Sequence, residues 1–317
     1  MQTPQSMKNS ERSFARRLDL TSLQLFVAVC EQGSIGRAAQ QEFIAASAVS
    51  KRLSDLEAAV GTTLLQRHSR GVALTAAGES LLHHARSVLF GLERIQGELA
   101  EYAHGVRGHV RMHANISAIV QFLPEDLGAF ARVHSQIKID LQEHLSPAVL
   151  QAVQEGAADL GVCHLGSSGS PAGLQSRPYR SDHLVLVMPR SHALSARAAI
   201  DFEEALDCDI VGLQAGSSVG LAMQQAAARA GRTLRQRIQV TSLDAMCRMV
   251  ANGLGVGLLP SRAFGLLQGL GPLAAVPLTN AWAQRELRLV ARDFAALPAS
   301  ARLLLEHLAP TRPATRL

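Results

Sequence analysis

The sequence predicts a three-part protein: an all-helical head, one long connecting helix and an α/β body. Three observations carry that prediction. Helical patterns crowd positions 20–102. Beyond Gly108 short β-branched or leucine-rich runs alternate with alanine-rich helical stretches. The 317 residues, 47% apolar and 18% charged, suffice for two or three domains and more than one core.

In the head, Leu23, Phe26, Val27 and Cys30 fall at helical spacing after the N-cap candidate Thr21, and Gly33 ends that helix. Ser34 is placed to cap a second helix, where Ala38 and Ala39 allow close helix–helix approach. A break at 44–46 precedes a third helix over 47–60, stopped by Gly61, with Val49, Leu53, Leu56 and Val60 as its apolar stripe. Ser47, Ser50, Lys51 and Ser54 point elsewhere, with Arg52 at the stripe's edge. Hydroxyls and cations reach phosphates, and an arginine grips a guanine edge with two hydrogen bonds. The same face also reads as simply solvated. Segment 62–75 reads as a β-wing with Arg67 and Arg70 on a short loop and Gly71 permitting the turn. A wing arginine enters a minor groove or holds phosphate.

Thr75 caps the next helix, which runs to position 102. Its apolar positions Leu81, Ala85, Val88, Leu92, Ile95 and Leu99 are spaced 4, 3, 4, 3, 4, a heptad seam. At ~1.5 Å per residue the helix reaches roughly 40 Å. The seam either packs on its own domain or pairs with the same helix of a second subunit, and the length and narrow stripe favour pairing.

The body's strand-like runs are 110–113, 137–142, 160–163, 184–188, 210–213, 238–241, 256–259 and 287–291. Alternating with helices, they imply a mostly parallel sheet covered on both faces. Loops that leave a strand and open a helix offer free N–H groups and partial positive charge, hence an anion site. Two loops qualify: Ala114, Asn115, Ile116 and Ser117, and Gln214, Ala215, Gly216, Ser217 and Ser218. Asn115 and Ser117 read equally well as ordinary helix caps.

The stretches GSIGRAAQQEF, SAVSKRLSDLEAAVG and LLQRHSRGVALTAAG resemble the winged helix-turn-helix of LysR-type transcriptional regulators. AADLGVCHLG, SDHLVLVMPRSHAL and VANGLGVGLLPSRA resemble that family's effector domain, a two-lobed α/β fold similar to type 2 periplasmic binding proteins. The resemblance spans essentially the whole chain. The polar first residues read as a disordered extension over 1–17, with Met7 an alternative start, and the resemblance implies a DNA-binding domain over 18–76, a linker and dimerisation helix over 77–105, and an effector domain over 106–317. Lobe one would hold 108–180 and 283–317, and lobe two 181–282. Ser47, Ser50, Lys51 and Arg52 would face double-stranded DNA, with Arg67 and Arg70 on the wing. The linker helix would pair subunits into dimers and tetramers, so the DNA site would be an interrupted palindrome. Asn115, Ile116 and Ser117, with Leu145, Ser146, His164, Gln214, Ser217 and Ser218, would line the effector cleft. Ala46 and Arg52 depart from the glutamine or proline and the glutamine of many relatives, so the operator sequence does not transfer.

Other features narrow the function class. Lysine plus arginine (31) against aspartate plus glutamate (26) leaves +5, compatible with nucleic acid. No apolar run approaches the roughly 18 residues that span a bilayer, and the first 18 residues contain no secretory h-region. Cys30, Cys163, Cys208 and Cys247 lie far apart without a CxxC pair, which argues for a reducing, cytoplasmic setting with neither disulfide scaffold nor structural zinc. Segment 216–220 matches G-x-S-x-G, with Asp244, Asp293 and His307 downstream to complete a triad, but Gln214 and Ala215 intervene where a nucleophile elbow turns straight off its strand. The glycine-rich 253–257 enters a strand from a helix, the reverse of a dinucleotide loop, and reads as tight packing. His104, His109 and His113 read as solvated histidines rather than metal ligands, and Cys163 as a buried inert thiol rather than a redox sensor.

The reading is therefore a non-enzymatic, cytoplasmic regulator that binds DNA under control of a small, anionic effector, with no cofactor. Its expected partners are double-stranded DNA, the effector, further copies of itself and RNA polymerase, and no membrane. The rivals are an α/β hydrolase using Ser218 and a plain solute-binding protein, which would predict an export signal and no head.

Overall fold

The computed structural model describes residues 18–68, 71–104, 108–166 and 169–310. The expected extension 1–17 and the wing residue Arg70 lie outside the described residues. The chain forms two compact units that part between Ala103 and His104.

The first unit opens with α1 (Leu20–Gln32), α2 (Ile35–Gln41) and α3 (Ala46–Val60). The cap of α1 is Asp19, not Thr21: its carboxylate accepts from the Ser22 N–H at 2.9 Å and from the Ser22 hydroxyl at 2.6 Å. A carboxylate at this end is also favoured by the helix dipole, which the neutral hydroxyl of Thr21, already inside the first turn, cannot exploit. Gly33 and Gly61 stop α1 and α3 in the left-handed conformation. Strands β1 (Leu65–His68) and β2 (Gly71–Leu74) pair antiparallel as the wing. A Cβ at Gly71 would lie 2.5 Å from the Gly33 carbonyl oxygen, so only glycine lets the wing press against the α1–α2 turn. Phe26, Val29, Ala38, Val49, Leu53 and Leu64 form the head's core.

The Thr75 hydroxyl accepts from the Gly78 N–H at 3.0 Å and so caps α4 (Ala76–His104), 29 residues long. The seam of α4 divides. Ala85, only 1% exposed, is buried in the head's own core, and Leu81 is half-buried against it. Val88, Leu92, Ile95 and Leu99 stand exposed at 46%, 39%, 51% and 62%.

In the body, β3 (His109–Ala114), α5 (Ile116–Gln121), α6 (Leu123–Val133), β4 (Lys138–Glu143), α7 (Ser146–Glu155) and β5 (Leu160–Cys163) make most of one lobe. The 15-residue β6 (Gln175–Pro189) then carries the chain into a second lobe. That lobe holds β7 (Ile210–Leu213), α8 (Ser218–Arg229), β8 (Gln236–Val240), α9 (Leu243–Ala251), β9 (Gly257–Pro260), α10 (Ser261–Leu267) and β10 (Leu273–Pro277). β11 (Gln284–Ala291) returns to the first lobe, which α11 (Ala299–Leu308) completes.

The large sheet has the order β10-β6-β11-β5-β3-β4, with β9 also paired to β6, while β7 and β8 form their own pair. Among the described strands only β3–β4, β3–β5 and β7–β8 pair parallel, which corrects the expectation of a mostly parallel sheet. The physical reason is the pair of crossover strands. β6 and β11 run between the lobes in opposite directions, so their pairings with each other and with β5, β9 and β10 are antiparallel.

Each lobe has its own core: Met112, Phe130, Leu160, Leu289 and Leu304 in the first, and Leu186, Phe202, Leu258 and Val276 in the second. Helix α5 belongs to both. Ala118 is buried in the first lobe's core, while Ile116 and Val120 pack on the second lobe's cluster around Val187, Met246 and Leu259. Among the described residues, no helix is long and apolar enough to cross a membrane.

Candidate functional site

On the head, α3 presents Ser47, Lys51 and Arg52 exposed and Ser50 half-buried. Arg67 on β1 donates to the Ser50 hydroxyl at 2.8 Å and reaches Ser54 at 3.5 Å, tying the wing strand to α3. Arg52 lies 3.4 Å from the Asp19 carboxylate, both side chains about half exposed at 47% and 55%. An exposed pair of this kind holds by ~0–1 kcal/mol, so it does not lock Arg52 in place.

In the body, three loops converge on one cavity. The β3–α5 loop brings Asn115, Ile116 and Ser117; the β4–α7 loop brings Glu143, His144, Leu145 and Ser146; the β7–α8 loop brings Leu213, Gln214, Ser217, Ser218 and Val219. Every expected cleft residue except His164 is on this wall. His164 follows directly on the end of β5 and turns against β11, where its Nδ1 lies 2.9 Å from the Glu286 carbonyl oxygen and its Nε2 3.7 Å from Asp182. Capping and lining coexist. The Asn115 side chain accepts from the Ala118 N–H at 3.0 Å and donates to the Ser146 hydroxyl at 3.1 Å, while the Ser217 hydroxyl accepts from the Gly220 N–H at 3.1 Å.

Behind these serines sits a charge pair that sequence reasoning missed. Arg285 on β11 donates to both oxygens of Asp182 on β6, at 2.8 and 2.5 Å. It also donates to the Ser218 hydroxyl at 3.2 Å and makes a long contact to the Ser117 hydroxyl at 3.5 Å. One guanidinium thus bridges both crossover strands and both sides of the cleft. Gln121 adds a hydrogen bond to Asp182 at 3.0 Å. The pair is buried, Arg285 to 9% exposure and Asp182 to 1%. Burial by itself would raise the Asp182 carboxyl, but the adjoining His164 and Arg285 groups outweigh it and hold it at about 2. Burial pushes His164 below the usual histidine range. The cavity measures about 50 Å³, far below the roughly 300–1,000 Å³ of drug-sized sites, so this lobe arrangement admits only a small group. A wider hollow of about 580 Å³ beside β10 is open to solvent, with Arg190 the only charged residue on its wall.

The tempting motifs resolve structurally. Ser217 of the G-x-S-x-G match is the N-cap of α8, and the Ser218 hydroxyl faces a guanidinium, which cannot act as a base. A Cβ at Gly255 would lie 2.2 Å from the Asp209 carbonyl oxygen, the tight packing expected of 253–257. Cys163 is fully buried, and burial pushes its thiol up to about 12. His113 is not solvated: β3 lies between β4 and β5, so its ring is buried and sits 4.6 Å from that of His144. Arg111 on β3 is paired with Asp159 at 2.8 Å.

Comparison with known proteins gives consistent matches. Residues 20–79 match the family model "Bacterial regulatory helix-turn-helix protein, lysR family", and residues 103–312 match "LysR substrate binding domain". The transcriptional regulator AlsR of Bacillus subtilis is 30% identical over 78% of this chain and 82% of its own length. The transcriptional activator CmpR of Synechocystis sp. is 25% identical over 87% of this chain and 93% of its own. The crystal structure of CbnR, a LysR family transcriptional regulator, superimposes with a TM-score of 0.66 at 19% identity, covering 92% of this chain and 98% of CbnR, a likeness of fold.

Proposed function

The chain belongs to the LysR family of bacterial transcriptional regulators, and we propose that it binds an interrupted palindrome in double-stranded DNA under the control of a small, anionic effector held between its two lobes. One observation carries the effector half of this reading. Loops from both lobes close on a single cavity, and two of them open the helices α7 and α8, whose first N–H groups favour negative charge. Ser47, Ser50, Lys51, Arg52, Arg67 and Arg70 are the proposed DNA contacts. Val88, Leu92, Ile95 and Leu99, uncovered on α4, support pairing with a second copy. The cytoplasm is the matching compartment, and RNA polymerase is a candidate partner.

The mechanism is a population shift. An effector that touches Asn115 and Ser117 on one side and Ser217 and Ser218 on the other prefers one lobe spacing. That preference changes how subunits pack, and with it the DNA geometry they accept.

Genome-wide mapping of bound sites supplies the operator and, from neighbouring genes, candidate anions for titration. The single Trp282 is partly buried against Phe202 near the start of β11, so its fluorescence reports lobe movement. Ser117→Ala should weaken effector binding roughly ten- to a hundredfold and leave effector-free operator affinity near normal. Equal effector affinity in wild type, Ser117→Ala and a Ser217/Ser218 double alanine variant would place the effector elsewhere.

A further inference from the structure

We propose that Phe43, in the turn between α2 and α3, is a base-reading residue whose ring packs on a thymine methyl at the edge of the major groove. The inference rests on the reading of α3 as the helix that enters DNA, and adds to it a contact with neither charge nor hydrogen bond.

Phe43 stands where the local physics least favours it. Among the described residues it is the only non-glycine with positive φ, at 56°. The cause is the way α2 stops. The Ile44 N–H donates to the Ala39 carbonyl oxygen at 3.0 Å, and the Phe43 N–H to the Gln40 carbonyl oxygen at 3.3 Å. In this paired helix stop the left-handed position is usually filled by glycine, sometimes asparagine. A bulky side chain is strained there. The ring recovers nothing inside the head: it is 94% exposed and takes no part in the head's core. Glycine would remove both costs, so a contact outside the folded chain accounts for the phenylalanine.

The neighbouring residues define that contact. Helix α3 starts three residues later, with no side-chain cap on its first N–H groups. A groove-reading helix brings its N-terminal residues to the base edges, and Phe43 lies at that end. Residues 43–48 are all exposed and none is charged. Ala45, Ala46 and Ala48 end at a methyl, so Phe43 and Ile44 are the large apolar groups that a duplex meets there. A phenyl ring offers no hydrogen bond, and the apolar feature of the major groove is the thymine C5 methyl.

Uracil pairs as thymine does and lacks that methyl, which makes it the probe. The full-length protein selects its preferred duplex from a random pool, and each thymine of that duplex is then replaced singly by uracil. One replacement per half-site should weaken wild type about fourfold, one methyl's worth of apolar burial. Phe43→Gly should bind the parent duplex about tenfold more weakly and should no longer distinguish that uracil from thymine. Its salt dependence should match wild type, because the ring neutralises no phosphate. Thermal unfolding followed by circular dichroism should show Phe43→Gly at least as stable as wild type, since glycine suits positive φ. A lower midpoint would make Phe43 a structural residue and overturn the proposal. Wild type indifferent to uracil at every position would also overturn it, as would a uracil effect that persists in Phe43→Gly. A uniform loss across all duplexes would put the ring on the backbone, and a changed sedimentation profile without DNA would assign it to assembly. Each of these results sinks the role of Phe43 and leaves DNA binding by α3 standing. If wild type selects no duplex at all, the DNA reading of the head falls, and this proposal with it.

Discussion

Replacing Arg285 with methionine tests whether the Arg285–Asp182 pair holds the crossover strands. Methionine keeps the aliphatic volume and removes the guanidinium, so Asp182, 1% exposed, keeps the Gln121 amide and the neighbouring His164 but no permanent positive charge. Removing one member of a buried ion pair costs ~3–5 kcal/mol, most of it the penalty of an uncompensated charge. A second route gives a similar scale. The folded carboxyl sits at about 2 against 3.8 for the free side chain, so its neighbours favour the ionised form by about 2 kcal/mol net of burial. The variant should lose stability within that range at neutral pH. Adding Asp182→Leu should recover most of the loss, since neither charge then needs a partner. Denaturation followed by Trp282, which packs on Phe202 in the second lobe, reads the body's own transition. Protein concentration is held constant because association shifts apparent stability. A loss under about 1 kcal/mol, or a double variant no better than the single one, would refute the assigned role.

Leu92→Glu should leave each chain folded, since Leu92 is 39% exposed, yet abolish assembly and operator binding; an unchanged sedimentation profile would remove α4 as the dimer contact. Arg52→Ala should relax preference at one base position by ~1–3 kcal/mol without unfolding the head, and an unaltered binding site would discharge Arg52 from base reading. Burial holds the folded pKa of His113 and His164 below the ordinary 6.5. Their contribution to stability is therefore complete above 6.5 and is lost as pH falls through the depressed folded values. Denaturation midpoints taken from neutral to mildly acid pH should fall, less steeply in a His113→Gln, His164→Gln variant; equal slopes would contradict the assignment. Cys163 should resist alkylation near neutral pH until the chain unfolds, since burial pushes its thiol up to about 12.

What could be read from the chain follows from how far each signal reaches. The stops at Gly33 and Gly61 and the caps at Ser34 and Thr75 act within four residues and were legible. The four-residue strands at 160–163 and 210–213 are wholly buried and apolar, so composition alone marked them. The first half of β6, QSRPYRSDH, is polar and owes its strand conformation to pairing with β11, more than a hundred positions away by the Arg285–Asp182 contact. No local pattern announces such a partner. Arg285 and Asp182 escaped notice for the same reason, since each looks like a surface charge until the crossover strands align. The cleft serines were found because a helix-opening loop is a local feature, whereas the contacts of Ser117 and Ser218 with Arg285 depend on the distant β11 and were not.

Helix α5 explains why the cleft and the lobe arrangement cannot vary independently. Its first residues, Ile116 and Ser117, line the cavity. Ala118 is locked in the first lobe's core, and Ile116 and Val120 pack on the second. At its end, the Gln121 carbonyl oxygen accepts from Arg262 of α10 at 2.5 Å, and the Arg262 guanidinium lies 5.2 Å from the centre of the Phe122 ring. A ligand that moves Ser117 must therefore strain one packed core or slide it against the other. Close-packed interiors resist continuous deformation, so the response is a shift between discrete lobe positions. The contacts that such a shift would have to change are the apolar ones of Ile116 and Val120 with the second lobe, the tie from Arg262, and the reach of Arg285 to Ser117 and Ser218.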